Sequence, residues 1–157
     1  MYPSHRTSGN RAGFTLMELV IVMLILSIFA VVAAPRYIDA LDRARADAAA
    51  KRIAADLRLA QRYAKRTSAS QSIVFDVANN RYVFSDMPDL DHGDQIYAFD
   101  LGDSSYQTVL QSADFNGSST LTFDIYGQPD NSGAVVVKSG SYQQTISIGT
   151  AGAVSAF

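Results

Sequence analysis

Glu18 is the side chain whose placement most needs a chemical explanation. It stands as the lone charge between Phe14 and Ala34, a stretch otherwise apolar apart from Thr15 and Ser27. A carboxylate at mid-bilayer costs about 2.5–3.5 kcal/mol, so it needs a cationic partner or a place near the interface. On a helix Glu18 lies about one turn beyond Phe14. If the chain were cut after Gly13, Phe14 would gain a free cationic amine. That amine, on the same or a neighbouring copy, is a natural partner for Glu18 in a medium of low dielectric.

Other groups capable of chemistry are sparse. His92 lies in the polar loop Asp89-Leu90-Asp91-His92-Gly93-Asp94, and no Gly-x-Ser-x-Gly elbow is present to supply a nucleophile beside it. There is no P-loop and no His-x-x-x-His pair. Asp89, Asp91, Asp94 and Asp100 raise the question of calcium. However, Gly93 comes one position early for an EF-hand turn, and the last ligand would be Asp rather than bidentate Glu. The chain contains no cysteine, which excludes disulfides and thiolate metal sites. The expectation is therefore no catalytic residue, no metal site, no cofactor and no enzymatic activity.

The elements that would position Glu18 are legible from hydropathy. Residues 1–13 are polar and hold His5, Arg6 and Arg11 with no acid, like the cytoplasmic end of an export signal. Residues 14–34 rise by about 1.5 Å each and so span roughly 30 Å, the thickness of a bilayer core. Val32-Ala33-Ala34 would offer a signal-peptidase cut. The apolar run is too long for a signal peptide, Glu18 interrupts it, and Pro35 would occupy the first mature position. Beyond Pro35 the periodicity predicts a resumed amphipathic helix over 35–70, with Ile38, Leu41, Ala49, Ile53, Leu57, Ala60 and Ala64 facing a head. Residues 71–157 change to a period of two. Strands are predicted at 72–77, 81–85, 95–101, 106–110, 120–126, 134–138 and 142–148. This is an α+β pattern, a long N-terminal helix with a mainly antiparallel β-sheet head.

Charge divides along the same lines. Arg36 to Arg66 carries a net +5, whereas Thr67 to Phe157 carries −8, with only Arg81 and Lys138 opposing ten aspartates. An acidic head repels phosphates, so no nucleic-acid partner is expected, and it suits contacts with the basic helix of a neighbouring copy.

Gly13-Phe14-Thr15-Leu16-Met17-Glu18-Leu19-Val20 resembles the type III signal of type IV prepilins and type II secretion pseudopilins. The resemblance implies a prepilin leader over 1–13, cut between Gly13 and Phe14 on the cytoplasmic side by prepilin peptidase, and methylation of Phe14. It further implies that Glu18 engages a neighbouring subunit's amine during assembly, and that Pro35 marks a helix kink. Three later stretches resemble the H-type minor pseudopilins and related minor pilins. They are Asp56 to Ala64, Phe123-Asp124-Ile125-Tyr126-Gly127-Gln128-Pro129, and Ile146 to Val154. One departure is Ala153, where that group often has a basic residue.

The resemblance implies a structural minor subunit of a type II secretion pseudopilus, placed near the filament tip and supporting protein export. The alternative is a minor pilin of a type IV pilus, serving biogenesis, adhesion or DNA uptake. The implied partners are other pilin or pseudopilin subunits, the prepilin peptidase, an inner-membrane assembly platform and membrane lipid. The implied location is the inner membrane, crossed once, with the head in the periplasm until the subunit enters a filament.

Overall fold

The computed structural model describes residues 13–89, 93–102 and 106–156. It divides into two compact units, one ending at Tyr37 and the other running from Ile38 to Phe157. In the first unit, helix α1 (Leu16–Thr67) begins with side chains that nothing covers. Leu16 is 82% exposed and Phe29 is 67% exposed. This is the one described helix long and apolar enough to cross a membrane. Pro35 lies inside it.

The second unit contains the rest of α1 and eight strands: β1 (Gln71–Asp76), β2 (Arg81–Pro88), β3 (Ile96–Asp100), β4 (Val109–Asp114), β5 (Thr120–Phe123), β6 (Gly133–Ser139), β7 (Tyr142–Ile148) and β8 (Val154–Ala156). They form two four-stranded sheets, β3-β2-β1-β5 and β4-β6-β7-β8, and every pairing is antiparallel. Alternation decides which face is buried. Ile73 and Phe75 of β1, Val135 and Val137 of β6, and Ile146 and Ile148 of β7 point into one core, which also takes Ile53, Leu57, Ala60 and Ala64 of α1. The helix stripe is made largely of alanine, which permits close approach of the sheets and favours helix strongly.

The helix face differs from expectation at its start. Ile38 and Leu41 are 57% and 36% exposed, whereas Ala46, Ala50 and Ala54 join the buried set. The head reaches the helix first through the β6–β7 turn. There Ser139 Oγ donates to Asp42 Oδ1 at 3.2 Å, and the Arg43 guanidinium lies 4.7 Å from the Tyr142 ring centroid. Within this unit the side chains of residues 38–41 are all exposed.

Asn80 joins the two sheets. It sits in the β1–β2 turn at φ 56°, a conformation asparagine tolerates well. Its side-chain amide donates to Thr108 O at 2.8 Å, and its Oδ1 accepts from Leu110 N at 2.5 Å. Replacing Asn80 by alanine removes both bonds and leaves the amide of the buried Leu110 without this acceptor. A loss of about 1–3 kcal/mol in stability is expected, readable in urea unfolding.

Candidate functional site

The helix start is built from its own residues. Gly13, Phe14 and Thr15 precede the helix, and all three are exposed. Thr15 caps it, its Oγ1 accepting from Glu18 N at 3.2 Å, while Leu19 N donates to Thr15 O at 3.2 Å. Thr15-Leu16-Met17-Glu18 thus has the threonine and glutamate spacing of a capping box, with an acid in the first turn where the helix dipole favours it. The Thr15 cap could have been found from the Thr-x-x-Glu spacing alone. A Cβ added at Gly13 would meet nothing within 4 Å. Among the described residues the fold therefore places no steric demand for glycine there.

The three late stretches singled out in the sequence meet at one place on α1. Gln61 Nε2 donates to Gly127 O at 2.8 Å and to Gly152 O at 3.4 Å, and Arg58 donates to Val154 O at 2.8 Å. One glutamine side chain thus ties the β5–β6 turn and the β7–β8 turn to the helix. Both glycines are required. Gly127 has φ +72° and a Cβ there would lie 3.2 Å from Gln61 O, while Gly152 has φ +76° and a Cβ there would lie 2.4 Å from Gln61 Nε2. Gly152→Ala combines left-handed strain with displacement of the bridging amide. It is expected to cost about 1–3 kcal/mol, with thermal unfolding as the measurement.

A second buried polar cluster lies nearby. Asp56 is only 5% exposed, on the core side of α1. Its Oδ2 accepts from Tyr82 Oη at 2.5 Å, Tyr97 Oη at 3.0 Å and Arg52 Nε at 3.1 Å, and Arg52 also donates to Tyr97 Oη. Arg52 lies over the Phe99 ring at 5.0 Å. The carboxylate therefore has three donors, which is what makes a buried charge tolerable. Burial, followed by the negative charge of Asp56, pushes the Tyr82 hydroxyl well above its ordinary range and the Tyr97 hydroxyl up to about 12. Burial pulls Arg52 down, but its bond to Tyr97 and the Asp56 charge outweigh that and raise it.

Because the tyrosine values are raised in the folded state, their stabilising contribution is complete below the unfolded value of about 10 and is lost as pH rises through the folded one. Stability of the head is expected to fall between about pH 10 and 12. Tyr97→Phe should be less stable at pH 8 and should lose less than the parent over that interval. Denaturant midpoints at the two pH values check this.

The loop proposed for His92 and for calcium falls partly outside the described residues, His92 and Asp91 among them. Asp100 is engaged in its own turn, its Oδ1 accepting from Gly102 N at 2.7 Å. Among the described residues no group of three or more His, Cys, Asp or Glu side chains could hold a metal ion. The Asp56 cluster escaped the sequence reading because an aspartate between Arg52 and Arg58 looks like one more surface charge on a charged helix.

Comparison with known proteins gives two findings. Residues 8–34 match the prokaryotic N-terminal methylation motif. Among solved structures, the type IV minor pilin FimU of Pseudomonas aeruginosa (strain PAO1) is similar, with a TM-score of 0.54 and 16% identity over 72% of this chain and 88% of that one. No curated protein sequence matches the chain. At that identity the likeness speaks for the fold, and the motif speaks for the N-terminal segment. Taken with the apolar helix and the antiparallel head, they give this chain a pilin-like fold behind an N-terminal methylation motif.

Proposed function

We propose that the protein is a minor subunit of a pilus-like filament, built as a prepilin, cut between Gly13 and Phe14 and methylated on Phe14. The observation that carries the proposal is the exposed Gly13-Phe14 pair standing directly before a capped apolar helix, within the matched methylation motif. Before assembly the helix anchors the protein in the inner membrane with the head in the periplasm. In the filament, apolar helices from several copies or relatives cover the leucine, isoleucine and valine side chains that stand bare here, and each Glu18 meets a neighbour's Phe14 amine. Pro35 removes one backbone hydrogen bond and supplies the point at which the helix can bend on packing.

Within this reading we favour an H-type pseudopilin of a type II secretion system, placed just beneath the tip. Its support is the convergence of the three motif stretches on Gln61. The alternative, a minor pilin of a type IV pilus, has its own support in the likeness to FimU, which is such a subunit. Deletion of the gene separates them. Loss of protein export with surface pili retained supports the pseudopilin, and loss of pili with export retained supports the pilin. If the protein were absent from sheared filaments of either kind in a strain that expresses it, the filament reading would fail.

A further inference from the structure

We infer that Asn116 is a site of self-modification, converting to aspartate or isoaspartate through attack by the Gly117 amide, and that the Asp114 carboxylate restrains this reaction in the folded head. Asn116-Gly117 is the one asparagine–glycine pair in the sequence. Glycine has no Cβ to shield its nitrogen from the side chain before it, so this pair is open to such attack. The space around it is free. Asn116 and Gly117 are both exposed, and a Cβ added at Gly117 would meet nothing within 4 Å.

Water is the only other reactant. The Gly117 nitrogen bonds to Asn116 Cγ, and Nδ2 leaves as ammonia with the proton that the Gly117 nitrogen gives up, so that a cyclic imide remains. Water then opens the imide at either carbonyl, giving aspartate or isoaspartate. The leaving nitrogen is lightly held, since Asn116 Nδ2 lies 3.5 Å from Asn131 Oδ1, longer than an ordinary hydrogen bond.

The turn opposes the attack in two ways. Phe115 N donates to Ser118 O at 2.8 Å and Ser118 N donates to Phe115 O at 3.3 Å, closing a tight turn with φ 57° at Asn116 and 86° at Gly117. Asparagine–glycine is a sequence that such turns prefer, and within the turn the peptide joining the two residues is clamped at both ends. Gly117 N also donates to Asp114 Oδ1 at 2.7 Å. The nucleophile is that nitrogen after loss of its proton. A carboxylate in contact holds the proton and repels the anion that its loss would leave. Asp114 is itself fixed, its backbone paired with Ala134 of β6 and its carbonyl packed so close to Gly133 that a Cβ there would lie 2.2 Å away.

The same turn matters to the whole head. Phe115 is buried with its ring 5.6 Å from that of Phe75, and Phe75 N donates to Ser119 O at 2.9 Å, so this segment carries the chain from one sheet to the other. Aspartate at 116 would add a negative charge beside Asp114. Isoaspartate would route the backbone through the side chain and lengthen a turn that the Phe115–Ser118 bonds hold short. Either product loosens the crossing between the sheets, and refolding cannot reverse it. Neither step needs a partner or a filament.

The full-length protein in its membrane, incubated in mildly alkaline buffer with and without urea, supplies the test, read by mass spectrometry of the peptide containing Asn116. In urea the parent and Asp114→Ala should convert at one common rate, because the restraint exists only in the folded turn. Without urea the parent should convert far more slowly than in urea. Folded Asp114→Ala should convert at least about tenfold faster than the folded parent, the factor expected from losing a hydrogen bond to a charged group. Asp114→Asn keeps an acceptor oxygen without the charge and should fall between them. Urea midpoints show which variants are folded, and where Asp114→Ala is not, Asp114→Asn carries the comparison. A parent that converts as fast folded as in urea would overturn the inference. So would a folded Asp114 variant that is no faster than the parent, or conversion in urea at Asn79, Asn80 or Asn131 ahead of Asn116.

Discussion

Glu18→Ala should be inserted in the membrane and have its leader removed, yet be missing from filaments. Alanine lowers the free energy of membrane insertion, so anchoring cannot suffer. On the proposed reading, what is lost is the partner for a neighbour's amine. Breaking a buried ion pair by removing one member costs about 3–5 kcal/mol, so even part of that cost lowers incorporation at least about tenfold. Quantitative blotting of sheared filaments against the membrane fraction reads it. The Thr15 cap supplies the necessary control, since Glu18 also sits at the glutamate position of a capping box. Glu18→Gln keeps the capping geometry and removes the charge. It is expected to be excluded like the alanine variant, and normal incorporation of Glu18→Gln would mean that the cap, not the charge, is what assembly needs.

Asp56→Ala has the largest expected effect on the head. It leaves Tyr82 Oη, whose ring is 1% exposed, without an acceptor and takes from Arg52 its carboxylate. Arg52 retains access to solvent, with 38% of its side chain exposed, which softens the loss. A destabilisation of about 3 kcal/mol follows, the low end of what removing one member of a buried pair does. Against a total of roughly 5–15 kcal/mol for a domain, this is enough to lower the amount of protein in the cell. Asp56→Asn keeps one acceptor oxygen and should fall between alanine and the parent in denaturant midpoint.

The anchor, the long helix and most strands could be read from hydrophobic period. β7 was expected at 142–148 and is found there, and β1, β3 and β6 agree to within a residue at each end. The misses have local causes. β4 was expected at 106–110 and runs from Val109 to Asp114, because its register with β6 shifts between Leu110 and Ser112 and breaks the alternation. β5 was expected to reach Tyr126 and stops at Phe123, where the Asp124 side chain captures the amides of Tyr126 and Gln128. β2 was expected to end at Ser85 and continues to Pro88 on the pairing it makes with β3. β8 was not expected at all. Three residues are too short to show a period, and Val154–Ala156 is held by β7 and by Arg58.

The site was legible in a different sense. Glu18 stands out because a charge in an apolar run demands a partner, and it lies in the first turn of α1, which Gly13, Phe14 and Thr15 precede. Gln61, Gly127 and Gly152 each lay within a motif stretch, yet nothing in their separate positions disclosed that one side chain would join them. Asp56 opened one of those stretches, yet nothing in the sequence marked it as buried. Its meaning depends on two tyrosines 26 and 41 residues away along the chain.

The central claim, that residues 8–34 serve as a prepilin signal, is tested most directly by the mass of the mature chain after co-expression with a prepilin peptidase. A chain beginning at Phe14 and carrying one added methyl group on its terminal amine is the predicted result. An intact N-terminus, or a chain beginning near Pro35 after a cut following Ala34, would contradict it.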